Sequence, residues 1–559
     1  MNRLAPLALL LVAMASSPQP TVAIETSTAP ADVPALPVEA GTTLSLTLED
    51  AYAIALQRNL DLQVGRYSLA ALGQGVLARS GVFDPSLTAG ASISSMESPA
   101  VSELEGAEVA ESQSNRYDLG LAQVLPTGTQ LGLQLASRRT YTNNVLYFLN
   151  PSWNSSLTLS VTQPLLNGFG TLVNRSGILI AANLREQSAA GFSTQVVATL
   201  QSVERAYWDL VAAREEVGVK QQSLDLAARL LDETRQRVDV GTSAPIDLVQ
   251  SEAGVATRRQ ELIYARNAAA NAEDALKALL GFDTPDEWTT AIATTDSYEA
   301  DTIHTDLAAS IETALAKRPE MEQQRLALES SELEVKLARN AVLPRVDLEG
   351  SYGYAGIGGR GENVDGSVDD SWRQIRDTDF PSWSTGISLS VPLGNNDARS
   401  SLVQRRFEVE QGKVELAKLK QSIIHEVRIA VRALDDGAAA VEAAVASREL
   451  AQRNLEAEQT KFANGLSTNY LVLQVQEDLA LAQLSELNAR IGYRKVIAGY
   501  LTATGALLES HQIRIEDPAQ PAVPHDYWKD VSWLQFSDLS QCFGKEEPPQ
   551  EPSGPAEQD

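Results

Sequence analysis

The sequence predicts an α+β membrane protein in which β-barrel strands continue into very long α-helices, with each chain an internal duplication. Three observations predict it. Two helical hairpins, from about Asn174 to Gly281 and from about Ala398 to Gly505, contain almost no helix-breaking residue. Two regions, about 85–163 and 345–393, change to the period-two alternation of strands. The order of these elements in the first half then returns in the second half.

The chain begins with the features of a secretory signal peptide, residues 1–23. Arg3 supplies the positive start, Leu7 to Ala15 the apolar core, and Thr21-Val22-Ala23 or Ala13-Met14-Ala15 a small-residue cleavage site. Residues 24–45 are rich in Pro, Ala and Thr and read as a flexible lead-in. The only cysteine is Cys542, so no disulfide framework forms within one chain. After the signal no run of 18 apolar residues follows, which leaves a barrel as the way to span a membrane.

The first repeat is expected over 46–281. A helix starts at Thr47-Leu48-Glu49-Asp50, and a second runs from about Leu62 to Ser80. Beyond Pro85, residues Leu87, Ala89, Ala91 and Ile93 alternate with smaller or polar neighbours. Three more alternating runs follow, around Tyr117–Leu121, Leu131–Leu135 and Leu157–Val161. Leu125-Pro126-Thr127-Gly128-Thr129 is a tight turn, whereas the connections at 97–115 and 140–153 are long. Short turns on one side, long loops on the other and aromatics near strand ends (Tyr141, Tyr147, Phe148, Trp153) suit an outer-membrane barrel. A soluble sandwich is the bland alternative for the strands.

A long helical hairpin, 174–281, completes the repeat. Its first arm of roughly 65 residues, rising about 1.5 Å each, spans on the order of 100 Å. Its tip runs Val240-Gly241-Thr242-Ser243-Ala244-Pro245-Ile246-Asp247. Ala, Leu and Val at spacings of three and four fit a hollow barrel of packed helices or a plain coiled coil.

After a linker at 282–302 the plan restarts as a second repeat, 303–508. Ala314-Leu315-Ala316-Lys317 matches Ala55-Leu56-Gln57-Arg58, and the helix from Glu320 to Asn340 matches the one from Leu62 to Ser80. Pro344 opens a strand as Pro85 did, and Pro381-Ser382-Trp383 matches Pro151-Ser152-Trp153. Ile387-Ser388-Leu389-Ser390-Val391 matches Leu157-Thr158-Leu159-Ser160-Val161. A long polar loop passing Trp372 to Phe380 separates the two strands of this half. The second long hairpin, 398–505, turns at Phe462-Ala463-Asn464-Gly465-Leu466-Ser467-Thr468. A Pro- and acid-rich tail, 509–559, carries an aromatic patch at Tyr527, Trp528, Trp533 and Phe536.

These residues resemble the TolC-like outer-membrane efflux proteins, over about Leu46 to Gly505. The duplicated helix–strand–hairpin order, the strand exits Val161-Thr162-Gln163-Pro164-Leu165 and Val391-Pro392-Leu393, and the two Gly-containing tips carry the resemblance. It implies a homotrimer: an outer-membrane β-barrel continued by a long periplasmic α-helical barrel, with an equatorial collar. It further implies a passive exit duct of a tripartite efflux or type I secretion system. The partners implied are a periplasmic adaptor (membrane fusion) protein, an inner-membrane transporter and outer-membrane lipid. Such proteins typically contribute four strands per subunit, whereas here the first half offers four and the second two.

By the same resemblance, Val240, Gly241, Thr242, Asn464, Gly465 and Leu466 are where adaptor hairpins would dock. Asp247 matches a pore-constricting acidic position, and three copies around a three-fold axis would make a ring of negative charge. Its counterparts in the second half are Leu471 and, one turn on, Gln474. Plain C-capping for the glycines and N-capping for Asp247 are the structural alternatives.

Other functions lack their residues. A net charge of −28 argues against nucleic acid. His304, His425, His511 and His525 are scattered without metal spacing. Gly356-Ile357-Gly358-Gly359-Arg360-Gly361 has dinucleotide-loop spacing, but an acidic loop rather than a helix is expected after it. No catalytic residue, metal site or cofactor is expected. The competing class is a non-conducting coiled-coil periplasmic spacer or surface structural protein.

Overall fold

The computed structural model describes residues 43–99, 108–362 and 364–515. The signal peptide, most of the lead-in, the aromatic patch and Cys542 lie outside these residues.

Two long helical hairpins dominate the chain. Helix α3 (Thr171–Asp239) turns into α4 (Pro245–Leu280), and α9 (Asn396–Ala463) turns into α10 (Asn469–Ala503). The long arms have 69 and 68 residues and the return arms 36 and 35. At about 1.5 Å per residue each long arm extends on the order of 100 Å. Shorter helices cover the part of each long arm that its return arm does not reach. Helix α2 (Leu60–Ser80) packs on α3, and α7 (Pro319–Ala341) packs between α3 and α9.

The main core sits where these levels meet. It joins α1 (Leu48–Arg58), α3, α4 and α10 through Tyr52, Leu200, Tyr207, Leu210, Leu276 and Ile491, among others. The chain entering α1 forms β1 (Thr43–Leu46), which pairs in parallel with β6 (Ala291–Thr294). Thr43–Ser45 were expected in the lead-in, and the strand corrects that boundary. Its partner also gives the expected linker a structured centre, preceded by the one-turn helix α5 (Pro285–Thr289). Leu46 and Ile292 bury at 1% and 0% exposure, and that burial holds two segments too short to show a period of their own. The corresponding part of the second half is α6 (Leu307–Lys317), whose Ala314 packs on Ile423 and Val427 of α9. The start of the tail follows α11 (Leu507–Ser510): Ile513 and Ile515 rest on the main core, and His511 lies edge-on to Tyr52.

At the other end is one antiparallel sheet. Its order is β2 (Ser86–Pro99), β3 (Val109–Val124), β4 (Gln130–Thr142), β5 (Ser152–Pro164), β7 (Arg345–Gly361) and β9 (Pro381–Ser390). The seventh strand, β8 (Val364–Asp365), is a two-residue lap on the end of β7. The inserted hairpin β3–β4 therefore lies within the sheet, not folded over it.

The register sorts the side chains cleanly. Leu87, Leu121, Leu133, Leu159, Tyr352 and Trp383 lie on one face, each more than 40% exposed. Thr88, Gly120, Gly132, Ser160, Ser351 and Ser384 lie on the other. An apolar face left open across six strands is what lipid covers, and the small polar face is what a water-filled lumen needs.

The long loop expected between β7 and β9 instead contains α8 (Val368–Arg376), which packs on β7 and β5. Ser367 and Asp370 form a capping box that starts it. The glycine run beneath explains its docking. A Cβ at Gly356 would lie 2.0 Å from the Ser371 carbonyl, and one at Gly358 2.1 Å from that of Ser367. The spacing that resembled a phosphate-binding loop is thus a seat for a helix. A chain of hydroxyls, Ser137 to Ser155 (2.9 Å) and Ser155 to Ser371 (2.8 Å), fastens it to the sheet.

Candidate functional site: the paired hairpin tips

Both hairpins reverse in the same way. Gly241 and Gly465 have φ of 79° and 76°, the left-handed conformation that glycine takes at little cost. The amide of Thr242 donates to the Arg237 carbonyl and that of Leu466 to the Lys461 carbonyl, each at 2.8 Å. Gly241 and Gly465 donate to Val238 (3.0 Å) and Phe462 (3.1 Å). Each turn is a helix stop in which the last carbonyls find partners within the turn.

The side chains outside the turns are open. Val240 and Leu466 are 74% and 79% exposed. The Thr242 hydroxyl donates to the Arg237 carbonyl (3.0 Å), and the Asn464 amide donates to the Thr460 carbonyl (2.8 Å). These two side chains brace the turns.

Asp247 is the third residue of α4 rather than its N-cap, which corrects the capping alternative. Ala244 occupies the cap and has no side-chain acceptor, so the Asp247 carboxylate reaches back to the Ala244 amide at 3.2 Å. In the second half Thr468 caps α10 through its own hydroxyl. An acid is therefore structurally useful at 247, whereas its counterpart Leu471 has no capping task. Asp247 is half-buried and Gln474 exposed.

Sequence reasoning missed the residues that tie the two tips together. Asn469, 3% exposed, donates to the Asp247 carbonyl (3.1 Å) and to the Ser251 hydroxyl (2.8 Å). Its own oxygen accepts from Thr234 at 3.4 Å. Thr234 and Ser251 are fully buried, so this polar knot sits in a dry seam between the hairpins. Arg237 lies 4.1 Å over the Phe462 ring and donates to the Phe462 carbonyl at 3.1 Å. One step further from the tip, the buried Arg258 spans Ser223 and the Leu473 carbonyl. A polar residue recurring on an Ala/Leu seam was the only signal available, and it does not name a partner.

Six sheet strands with an apolar outside and a polar inside, carried on a stalk of long hairpins, make a channel that leads from a membrane into the compartment below. The comparisons agree. The family described as outer membrane efflux protein matches residues 51–282 and 310–495. Outer membrane protein TolC of Vibrio cholerae is 24% identical over 336 residues, spanning 59% of this chain and 74% of that one. Among solved structures, the outer-membrane channel OprN has a TM-score of 0.61 at 19% identity, covering 82% of this chain and 90% of that chain. The CmeC outer membrane channel of Campylobacter jejuni has a TM-score of 0.61 at 17% identity, covering 85% and 91%. The chain belongs to the outer membrane efflux protein family. It is an outer-membrane efflux channel whose helical barrel projects into the periplasm.

Proposed function

We propose that three copies of this chain form a passive exit duct, coupled through a periplasmic adaptor to a pump in the inner membrane. The observation that carries this reading is the pair of matched tips. Two turns that share the bonds of their glycine and of the amide after it present Val240 and Leu466 outward at the end of arms of 69 and 68 residues. An exposed apolar residue at each turn favours docking of another protein's apolar hairpin ends. The adaptor surface is accordingly Val240, Gly241, Thr242, Asn464, Gly465 and Leu466. Asp247, just inside, would supply the ring of carboxylates at the narrow end, with Gln474 the neutral candidate on the other hairpin. The duct itself has no energy source in this reading; the partner supplies it.

The test is purification of the chain from outer membranes and insertion into planar bilayers. Discrete single-channel steps and heat-modifiable trimers are expected. A product that stays soluble and does not conduct would favour the non-conducting spacer. A crosslinker placed by Thr242→Cys or Leu466→Cys should capture the adaptor.

A further inference from the structure

Among the described residues, the sheet of a single chain has two unpaired edges, β2 and β9. Both are long, 14 and 10 residues, and β9 is exposed throughout. Six strands are fewer than the eight of the smallest membrane barrels, so β9 cannot close on β2 of its own chain. An open edge in lipid is not tolerated, because its amides and carbonyls have no water to bond. Six is also an even number, so β9 of one copy runs antiparallel to β2 of the next. β2 starts and β9 ends at the helical end, since α2 leads into β2 and α9 follows β9. A second copy of this chain is the occupant these edges fit.

The duplication supplies the register of that seam. Within one chain β5 pairs with β7, and by the internal repeat β5 corresponds to β9 and β7 to β2. Leu159 matches Leu389 and Tyr352 matches Ile93, counting from the paired Trp153/Trp383 and Pro85/Pro344. Leu159 lies opposite Tyr352 in the observed sheet. We infer that β9 of one copy adds to β2 of its neighbour with Leu389 opposite Ile93, and that the inserted hairpin β3–β4 stays in the wall, giving six strands per copy. Continuing the match, Val391 falls opposite Ala91. Val391 is 51% exposed in the single chain, just past the end of β9. Its counterpart Val161 is paired within β5. The seam thus extends β9 past Ser390.

With the three copies of the proposed function, on which this count rests, six strands each make eighteen rather than twelve. Barrel diameter rises roughly in proportion to strand number, so the outer mouth is about half as wide again, in the range of porins with aqueous channels. Narrowing of the path then falls to the helical end.

The experiment uses the full chain with Cys542→Ser. Ile93→Cys and Leu389→Cys are introduced together, and isolated outer membranes are oxidised. A ladder of linked dimers and trimers is expected, absent from either single variant and absent when Leu389→Cys is combined with Ala89→Cys, four residues out of register. Preferential linkage of the shifted pair, or no linkage from either, overturns the seam. Spin labels at Leu121 and Leu133 provide a second reading. Collision with oxygen dissolved in lipid keeps the hairpin in the wall, and contact with aqueous quencher alone reduces the count to four strands per copy. A chain that conducts but does not link loses only the seam. One that neither conducts nor reaches the outer membrane loses the duct as well.

Discussion

At Asp247 two demands meet: the carboxylate caps the exposed Ala244 amide, and in the proposed trimer it lies near two copies of itself. Asp247→Ala should reduce cation preference, read as a shift of the reversal potential in a salt gradient. It should also cost on the order of 1 kcal/mol of local helix stability; an unchanged reversal potential would remove Asp247 from the constriction. Glu287 of α5 gives a pH prediction. Hydrogen bonds from Arg58, the shorter at 2.6 Å, hold its carboxyl at about 2, against an ordinary value of 4.5. Because the folded value is the lower one, this stabilisation is present above 4.5 and is lost as pH falls from there toward 2. It amounts to on the order of 2 kcal/mol after allowance for solvent screening. Thermal melts of Glu287→Gln should show a flatter slope over that acid window than the parent.

Among the elements, the seam between hairpins is the one whose loosening is easiest to measure. Asn469→Ala leaves Thr234, Ser251 and the Asp247 carbonyl short of partners in a buried place, a loss of about 1–3 kcal/mol. Faster amide exchange confined to the first turns of α4 and α10 is the expected outcome, with the sheet unaffected. Elements were also where the sequence was most and least readable. The long hairpins and six strands announced themselves, because period and breaker placement are local properties of tens of residues. β1 and β6 did not, since each has four residues and its partner lies some 250 positions away. α8 was hidden for another reason. Its capping box was present, but the glycines that seat it resembled a ligand loop, and only the carbonyls of Ser367 and Ser371 above them distinguish the two. At the tips the glycines were legible as turns, while Asn469 and Arg258 looked like ordinary polar residues on helices. Their partners belong to other helices, and no local pattern records them.

For the whole molecule, the duplication made the architecture recoverable. One half interpreted the other: Pro344 was legible as a strand opening because Pro85 was, and Gly465 as a tip because Gly241 was. The same logic marks where symmetry breaks. The first half carries the extra β3–β4 hairpin and the acid at 247, and the second carries α8 and the leucine at 471. The two halves share a framework and divide its specialised parts between them.

The near-equal length of α3 and α9 has a further consequence for how such a chain can change over time. Both arms start at the sheet and bring their turns close together, so in the proposed assembly they act as a ruler between membrane and adaptor. A length change in α3 alone would lift one turn by about 1.5 Å per residue and rotate its face by about 100°. It would also pull the Arg237–Phe462 and Asn469–Asp247 contacts apart. Insertions or deletions that keep these contacts would have to occur together in α3, α4, α9 and α10, so the reach of the stalk is written into four helices at once.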